Sequence, residues 1–215
     1  MRAIYLHGFA SGPGSSKGRF FSDRLSQLGW QVEMPDLTEG AFEHSTLSQQ
    51  LRVVERLTAR EPAVLLGSSL GGYLAALFAT RRPQRVSALV LLAPALGFAR
   101  RWGATLGEQA MNEWRERGVR SVYHYGEERQ CDISYDLVRD GLRYEDFPNV
   151  THPALVLHGR RDDTVDHRLS EEFARGRPNV ELVLFNSDHQ LLDVLEPMWR
   201  RVREFLSGGA WPAET

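Results

Sequence analysis

The sequence predicts an α/β fold: a mainly parallel sheet with helices on both of its faces. Three observations carry that prediction. Short apolar runs of strand length alternate with amphipathic stretches of helical period along most of the chain. Most of the apolar runs are continuous, not alternating, which is the pattern of strands buried on both faces. One of them ends in a Gly-x-Ser-x-Gly turn that opens directly into a helical pattern.

In chain order, Ala3–Leu6 is the first strand, and a helix follows on which Phe20, Phe21, Leu25 and Leu28 share a face. Val32–Met34 is a short second strand, and Leu47, Leu51, Val54 and Leu57 then recur at helical spacing. Ala63–Leu66 is the third strand. The helix after it carries Leu70, Tyr73, Leu74, Leu77 and Phe78 at i, i+3, i+4, i+7 and i+8. Ala88–Leu92 is the fourth strand, and here the rhythm breaks. From about Leu96 to Thr151 over fifty residues separate two consecutive core strands, more than a plain crossover needs. A helix is expected over Ala104–Glu116, with Leu106, Ala110 and Trp114 on one side. Val119–Tyr125 and Cys131–Leu137 are then expected to pair as a hairpin across a Gly126–Arg129 turn. We read residues 96–151 as a cap inserted over the functional edge of a single domain spanning 1–215. The alternation resumes with Ala154–Leu157, a helix near Leu169–Arg175, the strand Val180–Phe185 and a last helix bearing Leu195, Met198, Trp199, Val202, Phe205 and Leu206. The tail from Ser207 to Thr215 holds Gly and Pro and is expected to fray.

Composition narrows the function. Across 215 residues, 26 basic and 28 acidic side chains leave a formal net charge of −2, which removes the bulk electrostatic case for a nucleic-acid partner. Lys17 is the only lysine, so 25 of the cations are arginine; scattered among acids, they read as compositional bias. A single cysteine, Cys131, permits no intrachain disulfide and supplies no zinc set, and no metal is expected. The longest apolar stretch, around Ala88–Ala99, is interrupted by Pro94 and falls short of a membrane span. Met1-Arg2 runs straight into the first strand, so a cytoplasmic location is the expectation.

The sharpest chemical signal is Gly67-Ser68-Ser69-Leu70-Gly71, between the third strand and its helix. A serine on so sharp a turn needs neighbours two residues away that have no side chain to collide. Ser69 has glycine at both of those positions and Ser68 does not, so Ser69 is the nucleophile candidate. A serine hydroxyl needs a base, itself oriented by a third group, and in this motif class they follow in the order Ser, acid, His. His189, in Asn186-Ser187-Asp188-His189, lies just after the last strand. The segment Gly159–Val165 after the preceding strand holds the acids Asp162 and Asp163. His44, His124, His152 and His167 lack such placement, and His158 reads as structural. His7 opens His7-Gly8-Phe9 at the end of the first strand, where the backbone amides of Phe9 and Leu70 are expected to form an oxyanion hole. Phe98, Trp102, Met111 and Trp114 in the inserted segment are candidates to line an acyl pocket, with core packing the competing explanation.

Four segments carry a resemblance that spans nearly the whole chain. They are His7-Gly8-Phe9-Ala10-Ser11-Gly12-Pro13-Gly14-Ser15-Ser16-Lys17, Gly67-Ser68-Ser69-Leu70-Gly71-Gly72-Tyr73, Gly159-Arg160-Arg161-Asp162 and Ser187-Asp188-His189. Together they resemble the α/β-hydrolase superfamily, in particular its small bacterial YqiA-like esterases. The resemblance implies a Ser69–Asp162–His189 triad, with Asp162 ahead of Asp163 from the G-x-x-D spacing. It implies hydrolysis of small carboxylic esters or thioesters through an acyl-enzyme, without a cofactor. Two departures stand out: Asp166 occupies a place where proline is frequent, and the inserted segment is long for a minimal esterase of this type.

Rival readings are weaker. Gly12–Gly18 has the look of a phosphate-binding loop, but Ser16 precedes Lys17 and Gly18 follows it, where that loop needs glycine before and Ser/Thr after. A non-catalytic ligand-binding or interaction protein on the same fold has no need to keep nucleophile, base and acid together. Amidase, lyase and cofactor-free peroxidase chemistry use similar machinery and stay open, as does the oligomeric state.

Overall fold

A computed structural model describes residues 1–208. In chain order the elements are β1 (Arg2–Leu6), α1 (Ser16–Gln27), β2 (Gln31–Glu33), α2 (Leu47–Leu57), β3 (Ala63–Ser68), α3 (Leu70–Arg81), β4 (Val86–Leu92), α4 (Phe98–Arg117), β5 (Val119–His124), β6 (Arg129–Ser134), α5 (Asp136–Gly141), β7 (Ala154–Gly159), α6 (Arg168–Ala174), β8 (Val180–Phe185) and α7 (Leu195–Gly208). Six strands form one sheet in the order β2-β1-β3-β4-β7-β8, and every neighbouring pair in it is parallel. The α/β architecture expected from the sequence is the one observed.

Period-two alternation sorts the strand residues between two cores. Ile4, Leu6 and Leu65 face the layer built by α2 and α3; Ala3, Tyr5 and Leu66 face the layer of α1 and α7, with Phe21, Leu25 and Trp199. Burying each Leu or Phe of these layers contributes about 1.5–3 kcal/mol. Local signals set the helix starts. Thr46 and Gln49 form a reciprocal capping box on α2, and the Ser15 hydroxyl accepts from the Gly18 N–H at the start of α1.

The chain leaves β1 toward one side of the sheet and β3 toward the other, so the order reverses between them. A crevice at the carboxyl ends of the strands is expected at such a reversal. Loops after β1, β3, β7 and β8 all open on that edge.

Between β4 and β7 lie α4, the antiparallel β5–β6 hairpin and α5. The hairpin is hooked to the loop after β1, where the Tyr125 N–H donates to the Ala10 carbonyl at 2.8 Å. The Trp114 indole N–H donates to the Ile133 carbonyl at 3.1 Å and ties α4 to β6. Two expectations are corrected here. The helix begins at Phe98 instead of Ala104, launched by Gly97 in the left-handed region, and it breaks at Gly107 with φ 79° and ψ 163°. The second hairpin strand ends at Ser134 instead of Leu137. Tyr135 adopts helical angles there, and Leu137 and Val138 are buried on the short helix α5. The hairpin turn occupies residues 125–128. Ser207 and Gly208 continue α7, and the rest of the expected frayed tail lies outside the described residues. Among the described residues no helix is long and apolar enough to cross a membrane.

Candidate active site

Ser69 stands at the sharp turn from β3 into α3 with φ 53° and ψ −116°, a conformation disfavoured for a residue with a Cβ. The surroundings hold it there. Its N–H donates to the Leu92 carbonyl at 2.8 Å, and its own carbonyl accepts from the N–H groups of Gly72, Tyr73 and Ala95 at 3.0–3.1 Å. The flanking glycines are required by contact. A Cβ on Gly67 would lie 2.3 Å from the Gly71 carbonyl oxygen, and one on Gly71 would lie 2.1 Å from that of Leu6.

His189, on the loop after β8, places Nε2 at 3.1 Å from the Ser69 hydroxyl and Nδ1 at 2.7 Å from Asp162 Oδ2. An ionised carboxylate only accepts, so Nδ1 carries the proton and Nε2 is left to accept one from Ser69. Asp162 is saturated. Oδ1 accepts from the N–H groups of Thr164 and Val165 at 2.9 and 2.7 Å, and Oδ2 accepts from His158 as well as His189. Burial would push this carboxyl up. The imidazole N–H groups of His158 and His189, with the Val165 N–H, overcome that and hold it well below the usual carboxylate range. Asp163, the sequence alternative, is exposed and among the described residues accepts only from the neighbouring Thr164 hydroxyl.

The loop after β1 packs against the turn closely enough that a Cβ on Gly8 would lie 3.4 Å from Ser69 Cβ. Among the described residues the N–H groups of Phe9 and Leu70 have no protein acceptor. His7 governs the first of them. The Leu37 N–H donates to its Nε2 at 3.1 Å, so Nδ1 is protonated and donates to the Gly8 carbonyl at 2.9 Å. In a planar trans peptide, holding the Gly8 carbonyl on one side turns the Phe9 N–H to the other. Burial, only partly opposed by the Gly8 bond, pushes His7 below its ordinary value and keeps it neutral for this task.

Sequence reasoning missed two contributors. His158, read as structural, is fully buried and donates from Nε2 to Asp162 Oδ2 at 2.9 Å and to the Val165 carbonyl at 3.0 Å, while its Nδ1 meets the Ser170 hydroxyl at 2.7 Å. Its place one residue before Gly159, at the tip of the strand that leads to Asp162, was the available signal. Lys17 is the second. Its ammonium reaches the His189 carbonyl at 3.4 Å, and burial pushes it down to about 8, against the attraction of Asp162 and Asp188.

The four pocket candidates separate. Trp102 and Phe98 pack on the Phe9 ring, with centroids 5.1 and 5.8 Å away. An open groove of about 360 Å³ starts at Phe9 and Ala10 and is walled by Trp102, Leu106 and the hairpin strand β5. Met111 and Trp114 are buried in the core and do not line it, so packing is their role. Among the described residues no three His, Cys, Asp or Glu side chains converge to hold a metal.

Comparison with known proteins agrees with this architecture. The mouse alpha/beta hydrolase domain-containing protein 10 superposes with a TM-score of 0.81 at 22% identity, over 96% of this chain and 89% of its own. Est1E from Butyrivibrio proteoclasticus superposes with a TM-score of 0.76 at 21% identity, over 96% and 86%. By sequence, the mitochondrial palmitoyl-protein thioesterase ABHD10 of Bos taurus is 29% identical over 205 residues, 87% of this chain. The chain spans 66% of the length of that relative and of its human counterpart. The α/β-hydrolase resemblance is thus borne out, and because residues 2–206 match the Uncharacterised protein family (UPF0227), the chain belongs to that family.

Proposed function

We propose that this protein is a serine hydrolase of carboxylic esters or thioesters, with Ser69, His189 and Asp162 as its catalytic triad. The observation that carries the reading is the unbroken hydrogen-bonded line from Ser69 Oγ through His189 to Asp162, beside the N–H groups of Phe9 and Leu70, which have no protein acceptor among the described residues. His189 Nε2 takes the hydroxyl proton as Ser69 Oγ attacks the acyl carbonyl. The charge that develops on the carbonyl oxygen is met by the N–H groups of Phe9 and Leu70, at the positive end of α3, each worth about 10²–10³ in rate. His189 then gives its proton to the departing alcohol or thiol. A water, deprotonated by the same imidazole, releases the acid and regenerates Ser69. Asp162 fixes the imidazole tautomer and stabilises its charged form.

Relatives support the class of substrate. ABHD10 is named a palmitoyl-protein thioesterase, so thioesters belong beside oxygen esters among the acyl donors proposed for this chain. The segment between β4 and β7 serves in this reading as a cap, with its groove beside Phe9 receiving the apolar part of the substrate. The test is a panel of p-nitrophenyl esters and acyl thioesters with Ser69→Ala as control, together with a serine-directed phosphonate. Wild type should turn over several of them, Ser69→Ala should lose at least 10³-fold, and the phosphonate should label Ser69 alone. Wild-type rates in Ser69→Ala, or labelling elsewhere, would refute it. Inert wild-type protein that still binds acyl ligands would favour the non-catalytic reading.

A further inference from the structure

The groove beside the site is apolar along most of its length and ends in a charge. Its near end is fixed by the Tyr125–Ala10 hydrogen bond, one residue from Phe9. From there it follows β5 past Tyr123 and Val122 to Arg120, with Trp102 and Leu106 of α4 as the opposite wall. The extended chain from Arg120 to the end of β5 at His124 is four residue steps, about 13 Å at ~3.3 Å per residue.

Strand alternation decides where Arg120 points. Arg120, Val122 and His124 share one face of β5; His124 is buried and Val122 packs on the core, so this face is the inward one. The residue paired with Arg120 across the hairpin is Ile133, which is fully buried. The Arg120 side chain is therefore half-buried on an apolar face. Among the described residues no carboxylate lies within 4.0 Å of it, and it makes no side-chain hydrogen bond. Partly buried arginines elsewhere in the chain do find anions: Arg2 reaches Glu33 at 2.6 Å, and Arg82 and Arg85 reach Glu55 at 2.7 and 3.8 Å. A guanidinium held on an apolar wall without its anion costs free energy that a bound carboxylate returns, and its planar fork matches that group in two parallel bonds.

We propose that Arg120 is the distal anchor of the acyl groove and that the preferred acyl groups are medium-length chains ending in a carboxylate. This rests on the reading of Ser69 as the acyl-accepting nucleophile, and it adds what that reading leaves open, the chemistry of the acyl tail. Two magnitudes agree on the length. An extended chain advances about 1.2 Å per bond, as three backbone bonds span ~3.3–3.6 Å, so 13 Å holds on the order of ten bonds. A groove of about 360 Å³ likewise holds on the order of a dozen groups the size of a water or a methylene. The aromatic and aliphatic walls take the methylenes, and Arg120 takes the terminal charge.

The test pairs two p-nitrophenyl esters of equal length, the decanoate and the monoester of decanedioic acid. In wild type kcat/KM should favour the carboxylate-ended ester at least tenfold, and the preference should shrink as salt screens the charge. In Arg120→Gln the ratio of the two should fall to near one, a comparison in which any general loss of activity cancels. Arg120→Lys should recover part of the ratio. Calorimetry on Ser69→Ala reads the groove without turnover, comparing monomethyl decanedioate with methyl decanoate; the acid should bind at least tenfold tighter, and Arg120→Gln should abolish the difference. Equal binding of the two, or a preference that survives Arg120→Gln, overturns the proposal. A protein that binds the acid through Arg120 but hydrolyses neither ester keeps this inference and refutes the hydrolase reading instead.

Discussion

Replacing Lys17 by methionine should make the protein more stable and less active at neutral pH. The ammonium lies half-buried, with a main-chain carbonyl at 3.4 Å as its hydrogen-bond partner and no carboxylate at ion-pair distance among the described residues. Burial, partly offset by Asp162 and Asp188, lowers its proton affinity from the ordinary 10.5 to about 8. Below pH 8 the folded and unfolded chains both carry the proton, and the folded state alone bears the cost of holding it out of water. Between about 8 and 10.5 the unfolded chain keeps a proton that the folded chain has released, so stability rises with pH across that window. Above it the cost is gone. Lowering from 10.5 to about 8 corresponds to at most ~3.5 kcal/mol, and solvent screening of a partly exposed group reduces it to about 1–2 kcal/mol. Methionine fills the same volume without the charge. At pH 7 Lys17→Met should melt higher by about 2–8 °C, at ~2–4 °C per kcal/mol for a chain of this length, and the difference should fade toward pH 10.5. Ester turnover should fall, because the His189 loop loses the donor that holds its carbonyl. Differential scanning fluorimetry from pH 6 to 10.5 and a p-nitrophenyl ester assay make the two measurements. A variant that melts lower at pH 7, or a difference that does not change with pH, refutes the reasoning.

Other substitutions separate positioning from packing. His158→Phe removes one charge-assisted hydrogen bond to Asp162 and should lower kcat by tenfold to a hundredfold, since such bonds are worth about 1.5–3 kcal/mol. His158→Gln, whose Nε2 can occupy the same donor position, should recover most of it, and equal loss in both variants would mean a purely structural role. Gly71→Ala drives a Cβ to 2.1 Å from the Leu6 carbonyl, so soluble yield and melting temperature should collapse while Gly12→Ala, with nothing within 4 Å, changes little. Trp114→Ala opens the core and frees the Ile133 carbonyl; chemical denaturation should report a loss of about 3–5 kcal/mol with little change in acyl-chain preference.

Most of the fold was legible because its signals are local. Apolar runs, most of them continuous, marked the sheet strands, with the short β2 the weakest signal, and the Gly67–Gly71 turn announced itself between one of them and a helix. Ser69 and His189 stood out because each terminates or follows a strand, and parallel strands bring their carboxyl ends to one edge; strand position left Asp162 and Asp163 open, and the G-x-x-D resemblance chose between them. The inserted segment was harder. Ala104–Glu116 has the helical period, but Gly103 and Gly107 hid the earlier turns of α4, and only Gly97 in a left-handed conformation marks its true start. Tyr135–Leu137 has strand-like composition, yet Tyr135 takes helical angles and Leu137 and Val138 are both buried on α5, a burial that sequence period does not show. His158 and Lys17 escaped notice for another reason. The His158 tautomer is set by two acceptors at Nε2, Asp162 and the Val165 carbonyl, and Lys17 acts on the His189 loop 172 residues away, pairings that a one-dimensional pattern does not show.

The strand order has a kinetic corollary. Ser69 and His189 are 120 residues apart, and the loop that carries Phe9 belongs to the first strand while His189 follows the last. No contiguous fragment holds the site, and every strand pair in the main sheet is parallel, a topology that closes long loops before its contacts reward them. The candidate site is therefore complete only once β8 has docked on β7. Regain of phosphonate labelling at Ser69 should lag behind regain of helical signal, so the serine's reactivity serves as a clock for the docking of that strand.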